Sequence, residues 1–299
     1  MRLLFSNTRS LCNKIDLLNA KIYELNIDII VINESWLTSS IPDNYISKFF
    51  KFYRNDRNTR AGGVLIGIKS EYNSIEKSFA KSDFEDKYIE ILIRDKKILI
   101  GTLYFPPKSK SFIQLKKYLK SILNIIFNEN KYDLILFMGD LNINFLKVNN
   151  KFVNHSAYEL NDMFNSYGLT QKINDITYPL SKSILDLVFI NNSELIHNIE
   201  VIPNISHKFD HNAIEIQIKI PEKPKNIIKN KSVCDYTVDN LNFFNDKLFA
   251  IDWDKVLVNC YDIESVYNKM KTIFENLLKE TIPKKVLKIK NRQFILKIF

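Results

Sequence analysis

Several short apolar runs in this chain end or begin at a polar residue capable of acid–base or metal chemistry. Glu34 follows Ile29-Ile30-Val31-Ile32, and Asp140 with Asn142 follows Leu134-Ile135-Leu136-Phe137-Met138. Continuous runs of this length form strands covered on both faces, because a strand with one wet face alternates instead. Asn7 closes the start of the chain after Leu3-Leu4-Phe5, while Asp186 and the pair Asp210-His211 precede Leu187 to Ile190 and Asn212 to Ile220. Between antiparallel neighbours, the end of one strand and the start of the next share an edge. All seven polar residues are therefore expected at one rim, as one active site.

A chain of 299 residues accommodates one large domain, or a domain and an appendage. Its 45% hydrophobic and 26% charged residues are those of a soluble globular protein, and no apolar run is long enough to span a bilayer. The start, Met1 to Asn7, turns polar too early for a signal peptide. Cys12, Cys234 and Cys260 are odd in number and lack metal-type spacing, which indicates a reducing compartment and no disulfide framework. The expected location is the nucleus or cytoplasm. A net charge of +9 suits a nucleic acid partner, although Lys, Asn and Ile usage equally reflects an AT-rich genome.

The order of elements is mainly α/β alternation. Leu3 to Phe5 predicts a short strand, followed by a helix carrying Ile15, Leu18, Ile22 and Leu25, with Ser10 as its cap. Tyr88 to Ile93 and Lys97 to Phe105 predict paired strands joined by Arg94-Asp95-Lys96. Helices are expected near Phe112 to Phe127 and Tyr158 to Asn165, and the alternating Ile214, Ile216, Ile218 and Ile220 predict a strand with one buried face. Pro221 to Lys225 and the polar run to Ser232 predict a boundary between a domain of residues 1–220 and a helical, basic segment of residues 221–299. That segment contains amphipathic patterns over Leu241 to Phe249 and Ile263 to Leu278, then the basic run Lys284 to Lys297. Of six glycines, Gly62-Gly63 and Gly139 stand where the backbone must turn or approach closely, and none forms a phosphate-binding Gly-rich loop.

Eight short motifs occur in a recognisable order: Asn7-Thr8-Arg9-Ser10-Leu11, Ile32-Asn33-Glu34-Ser35-Trp36-Leu37, Gly62-Gly63-Val64, Tyr104-Phe105-Pro106-Pro107, Gly139-Asp140-Leu141-Asn142, Thr177-Tyr178, Ser183-Ile184-Leu185-Asp186 and Asp210-His211. In this order they resemble the endonuclease/exonuclease/phosphatase superfamily, and most closely the apurinic-like endonuclease domain of non-LTR, LINE-type retrotransposons. The resemblance covers residues 1 to about 220 and rests on the register of all eight motifs, each weak alone.

What the resemblance implies is a DNase I-like α+β fold, a four-layer α/β/β/α sandwich, with one Mg²⁺ or Mn²⁺ at the rim and DNA as substrate. By that reading Glu34 is the principal metal ligand, with Asn7 and Asp210 beside it; hard oxygen donors suit these ions. His211, oriented by Asp186, contacts the scissile phosphate or helps activate water, while Asp140 and Asn142 position the nucleophile and stabilise the phosphorane. Tyr104, Thr177 and Ser183 hold phosphate oxygens. The proton-transfer roles of Asp140 and His211 stay open between the two. An intact relative also implies element RNA and a reverse transcriptase domain as partners; residues 232–299, with Ile251-Asp252-Trp253, resemble the linker toward that domain, so the chain reads as a truncated copy.

Chemistry supports the assignment without the family, since phosphodiester hydrolysis needs neutralised phosphate charge, a positioned water and a proton path. Each residue also has an ordinary reading. A single Asp after a strand is commonly a turn or cap residue. His155 and His197 read as surface residues and His207 as a decoy for His211, while Phe209, Tyr178 and Trp36 read as packing side chains. Phe209 stands where the family has Ser, with Ser206 nearby, so a supporting hydroxyl is lost or displaced. The competing functions are an abasic-site repair endonuclease, disfavoured because Ser183 stands where its pocket Trp belongs, and an inactive nucleic-acid-binding remnant. A secreted DNase lacks its disulfides here, and a phosphoinositide phosphatase its Thr-Asp-Arg signature.

Overall fold

The computed structural model describes residues 1–57, 61–80, 83–107, 111–129, 132–206, 209–220 and 229–289. His207, the residues 221–228 of the expected boundary and the end of the basic run from residue 290 lie outside them. Two compact units divide the chain, Met1–Pro221 and Glu222–Phe299.

In the first unit, numbering strands along the chain, β1 (Arg2–Asn7), β2 (Ile29–Asn33), β3 (Phe50–Asn55), β4 (Val64–Lys69), β13 (Ile196–Ile202) and β14 (Ala213–Ile218) form one sheet in the order β13-β14-β1-β2-β4-β3. A second sheet, β11-β12-β8-β7-β6-β5, comprises β5 (Asn73–Lys77), β6 (Glu85–Ile93), β7 (Lys96–Tyr104), β8 (Leu134–Asp140), β11 (Thr170–Gln171) and β12 (Asp186–Ile190). The continuous apolar runs became interior strands, with every residue of β2 and β8 buried. Their lack of alternation follows from cover on both faces.

Strand alternation divides the core into layers. Leu3, Phe5, Ile29, Val31, Ile66 and Ile68 face Ile89, Ile91, Ile98, Ile100, Leu136 and Met138 across the sandwich. The opposite side of the first sheet, with Leu4, Ile30, Ile32 and Leu65, receives Leu11 and α1 (Ile15–Leu25) through Ile15 and Leu18. Beyond the second sheet lie α3 (Phe112–Glu129) and α4 (His155–Ser166), after the short α2 (Asp43–Ile46). Phe164 of α4 stacks on Phe189 at 3.9 Å between ring centres and meets Phe137 at 5.2 Å. Helix, sheet, sheet and helix are the four expected layers.

Two local expectations give way to tertiary context. Ser10 does not cap α1: the helix starts at Ile15 after Lys14, without a side-chain cap, and Ser10 has a φ of 91° in the preceding loop. On β14 the expected dry face of Ile214, Ile216 and Ile218 is buried, and Ala213 and Glu215 on its other face are buried as well.

The second unit contains α5 (Val238–Phe249), α6 (Trp253–Leu257) and α7 (Ile263–Thr281), the last begun by an Asp262–Ser265 capping box. It is not purely helical. β15 (Lys229–Cys234) pairs antiparallel with β16 (Lys284–Ile289), so the start of the basic run is a strand. No described helix is long and apolar enough to cross a membrane.

Candidate active site

Strand register converts distant sequence positions into one rim. β1 and β2 are parallel with Asn7 opposite Asn33, placing Asn7 and Glu34 together. β7 and β8 are also parallel and end at Tyr104 and Asp140, while β12 runs antiparallel with Asp186 directly opposite Asp140. β14 begins beside β1, bringing His211 to the same edge. The loop positions are conformationally costly: Arg9, Ser10, Glu34, Trp36 and Asn142 all have positive φ. Such left-handed non-glycine residues persist where surrounding bonds enforce them.

Asn33 ties the two sheets beneath this rim. Its amide donates to Thr102 Oγ1 at 3.0 Å and accepts from the Asp140 backbone at 2.8 Å. Asp140 in turn accepts from Asn7 Nδ2 at 2.8 Å and from the Asn142 backbone at 3.0 Å. Asn7 Nδ2 also donates to Glu34 Oε1 at 3.2 Å, and the Trp36 indole donates to Glu34 Oε2 at 3.2 Å. Gly62 and Gly63 accept from the backbones of Trp36 and Ser35 at 3.0 and 3.1 Å, which props this loop. Both glycines have positive φ, and a Cβ on Gly63 would lie 2.8 Å from Ser35 Oγ. A Cβ on Gly139 would lie 2.0 Å from the Leu103 carbonyl, which accounts for the glycine before Asp140.

His211 stands between two buried carboxylates, with Nδ1 2.7 Å from Asp186 Oδ2 and Nε2 3.9 Å from Asp140 Oδ2. Burial opposes its charge, but Asp186 outweighs that cost and the imidazole is pushed up to about 9. Burial, then repulsion from Asp186, raises the Asp140 carboxyl to about 7. Tyr104 is held protonated by burial and by the adjoining Glu34 carboxylate. The ligand atoms of Asp140, Asp186 and His211 lie within 4.8 Å of one another, a grouping able to hold a metal ion. Asp186 Oδ1 is buried without a hydrogen bond.

These groups open into a cavity of about 370 Å³ lined by Glu34, Tyr104, Asp140, Asn142 and His211, together with Arg9, Trp36 and Tyr178. Residues 98–215 match the family model described as endonuclease-reverse transcriptase. The endonuclease domain of TRAS1, a telomere-specific non-LTR retrotransposon, superposes with a TM-score of 0.58 at 16% identity, covering 74% of this chain and 99% of that one. An AP endonuclease from Archaeoglobus fulgidus gives 0.59 at 13%, covering 74% and 100%. A 3′–5′ exonuclease from Neisseria meningitidis gives 0.55 at 13%, with the same coverage. The N-terminal unit has the fold of these three nucleases. No curated protein matches it significantly.

Within this unit, three expected site residues are engaged by close neighbours. Thr177 is wholly buried and its hydroxyl oxygen accepts the amides of Leu185 and Asp186 at 3.0 and 3.1 Å, so it fixes Asp186 rather than facing a phosphate. Ser183 is also buried, with its hydroxyl 2.6 Å from that of Ser181. Asp210 lies beside the rim, but its carboxylate is engaged by the Arg9 guanidinium.

Other residues enter that sequence patterning left out. Trp36 and Tyr178, expected in the core, line the cavity, with the Tyr178 ring 4.7 Å from that of His211. Phe209 does pack, against a cluster containing Leu4, Leu11, Ile205 and Ala213, with Lys14 Nζ 4.1 Å above its ring. Asn204 also braces the segment before the Asp-His pair: its amide donates to the carbonyls of Asn7 and His211 at 3.1 and 2.8 Å and accepts from Ser6 Oγ at 2.7 Å. No local pattern marks Asn204; Asn33 and Arg9 lie inside recognised motifs without a periodic signal of their own.

Proposed function

We propose that the N-terminal unit is a metal-assisted endonuclease that nicks DNA by phosphodiester hydrolysis, of the non-LTR retrotransposon type. The observation that carries this reading is His211 set between Asp186 and Asp140 on the wall of an open cavity that also contains Glu34, Asn142 and Tyr104. The family match over residues 98–215 supports the retrotransposon type.

The donor set fits a hard divalent cation. Glu34 reaches the cavity with the neutral donors Asn7 and Trp36 hydrogen-bonded to its oxygens and Tyr104 beside it, and Asp140 shares the Asn7 amide. Carboxylate and carboxamide oxygens of this kind would hold Mg²⁺ or Mn²⁺. Asp140, Asp186 and His211 make a poorer cage, because the imidazolium already supplies their positive charge. When bound, the ion neutralises phosphate charge and lowers the barrier to attack.

The chain's own groups supply the rest. Asp140, raised to about 7, is poised near neutrality to take a proton from the attacking water. His211, charged at neutral pH and held by Asp186, donates to a nonbridging phosphate oxygen where negative charge accumulates. Tyr104 retains its proton for a second such bond, and Asn142, with its amide on the Phe105 carbonyl at 2.9 Å, fixes the approach to Asp140.

Supercoiled plasmid incubated with the purified chain tests the reading. Open circles are expected with Mg²⁺ or Mn²⁺ and none with EDTA. Plasmid left supercoiled by folded protein in both metals overturns it and favours a nucleic-acid-binding remnant.

A further inference from the structure

We propose that Arg9 is a phosphate-binding residue of the cavity, parked on Asp210 until a nucleic acid strand arrives. This rests on the nuclease reading for its ligand, a phosphodiester oxygen, but not for its geometry.

Charge balance poses the question. Two carboxylates, Glu34 and Asp140, line the cavity, and two more, Asp186 and Asp210, pair with its lining residues His211 and Arg9. An anionic backbone must nevertheless be drawn in. Among the described residues lining the cavity, Arg9 is the one Lys or Arg, and it remains charged at any working pH. Its guanidinium engages Asp210, which raises its pKa further despite partial burial.

The backbone of Arg9 is fixed while its side chain is free to exchange partners. Thr8 and Ser10 donate to the carbonyls of Asn33 and Glu34 at 3.0 and 2.9 Å, and the Arg9 amide donates to Asn7 Oδ1 at 3.2 Å. The loop is thus stitched to the Glu34 loop on either side of a residue with φ of 37°. The side chain of Arg9 is 52% exposed and that of Asp210 27%. An ion pair so accessible to water contributes little stability, so exchanging the carboxylate for a phosphate costs little. The fork of N–H donors suits a phosphate as well as a carboxylate. Asp210 then holds Arg9 at the mouth of the cavity instead of serving as a metal ligand.

Equilibrium binding of a short fluorescein-labelled DNA duplex in EDTA, across a potassium chloride series, separates this from catalysis. Arg9→Ala is expected to bind about ten-fold more weakly and to reduce the slope of log K against log salt by about one, with Arg9→Lys close to the parent in slope. Asp210→Asn, which releases Arg9 and removes a negative charge, is expected to bind more tightly. Thermal melting of each variant establishes that it is folded. Unchanged affinity and slope in folded Arg9→Ala overturn the proposal, even if the parent nicks plasmid. A parent that binds duplex with the expected Arg9 dependence but never nicks overturns the nuclease reading alone, and a parent that binds no duplex overturns both.

Discussion

The two sides of the cavity handle charge in opposite ways. On the side of β8, β12 and the start of β14, Asp140, Asp186 and His211 are almost entirely shielded from water, and their partners are one another, the Asn142 backbone amide and the Asn7 carboxamide. On the side of β1 and β2, Glu34 and Asp210 are partly exposed, and their partners are neutral donors or the exposed side chain of Arg9. Low dielectric magnifies each charge on the buried side, so small displacements of a proton carry large energies there. The open side has the accessibility that an incoming ion or phosphate requires. On the proposed reading, proton handling and ligand capture fall to separate walls of one site.

The largest expected effect falls on the buried wall. Asp140→Ala and His211→Ala should each lower Mg²⁺-dependent plasmid nicking at least about 100-fold at saturating metal. Glu34→Gln should lose a comparable factor at low Mg²⁺ and recover part of it as Mg²⁺ is raised. Nicking undiminished by Asp140→Ala would abolish the distinction.

A second test concerns whether the segment leading to His211 is held by packing or by a hydroxyl. Because Phe209 belongs to the apolar cluster outside the first sheet, Phe209→Ser should cost about 3 kcal/mol in urea denaturation and should not raise the nicking rate of folded protein. This reverses what the family pattern alone would suggest for restoring the serine. Faster nicking with unchanged stability would show that the missing hydroxyl matters more than the ring.

The smallest effect sharpens the electrostatics. His211 is raised from 6.5 to about 9 in the folded chain, so its pairing contributes stability that is full below pH 6.5 and lost as pH rises through about 9. Asp186→Asn removes the charge responsible and should lower the His211 midpoint, followed by NMR of the ring protons in EDTA, by roughly one unit or more. The loss of stability between those pH values should become correspondingly shallower in the variant. A midpoint that stays near 9 would mean that Asp140 or another group holds the proton.

Much of the framework is legible in the chain itself. Runs such as Ile29 to Ile32 and Leu134 to Met138 carry no alternation, and interior strands are the economical way to bury them. Residues placed at the ends of such runs reach a common rim whatever the details of the loops, which is why Glu34, Asp140, Asp186 and His211 meet. Local patterns were less informative at Ser10, which is suited to capping but lies four residues short of the helix, and at Lys229 to Cys234, whose partner strand is Lys284 to Ile289.

Hydrophobic periodicity and chain punctuation act over a few residues, so the chain alone marks strands such as β2 and β8, helices such as α3 and α4, and the polar residues at strand ends. Only the tertiary structure decided what those polar residues touch. Asn33 finds Thr102 across 69 positions and Asn204 finds Ser6 across 198, and neither partnership leaves a trace in local spacing. Thr177 became a clamp on Asp186, Asp210 became a partner of Arg9, and Trp36 and Tyr178 came to line a cavity for the same reason. A hydroxyl, amide or carboxylate has several possible roles, and the desolvation and bonding that select among them exist only once the two sheets have packed.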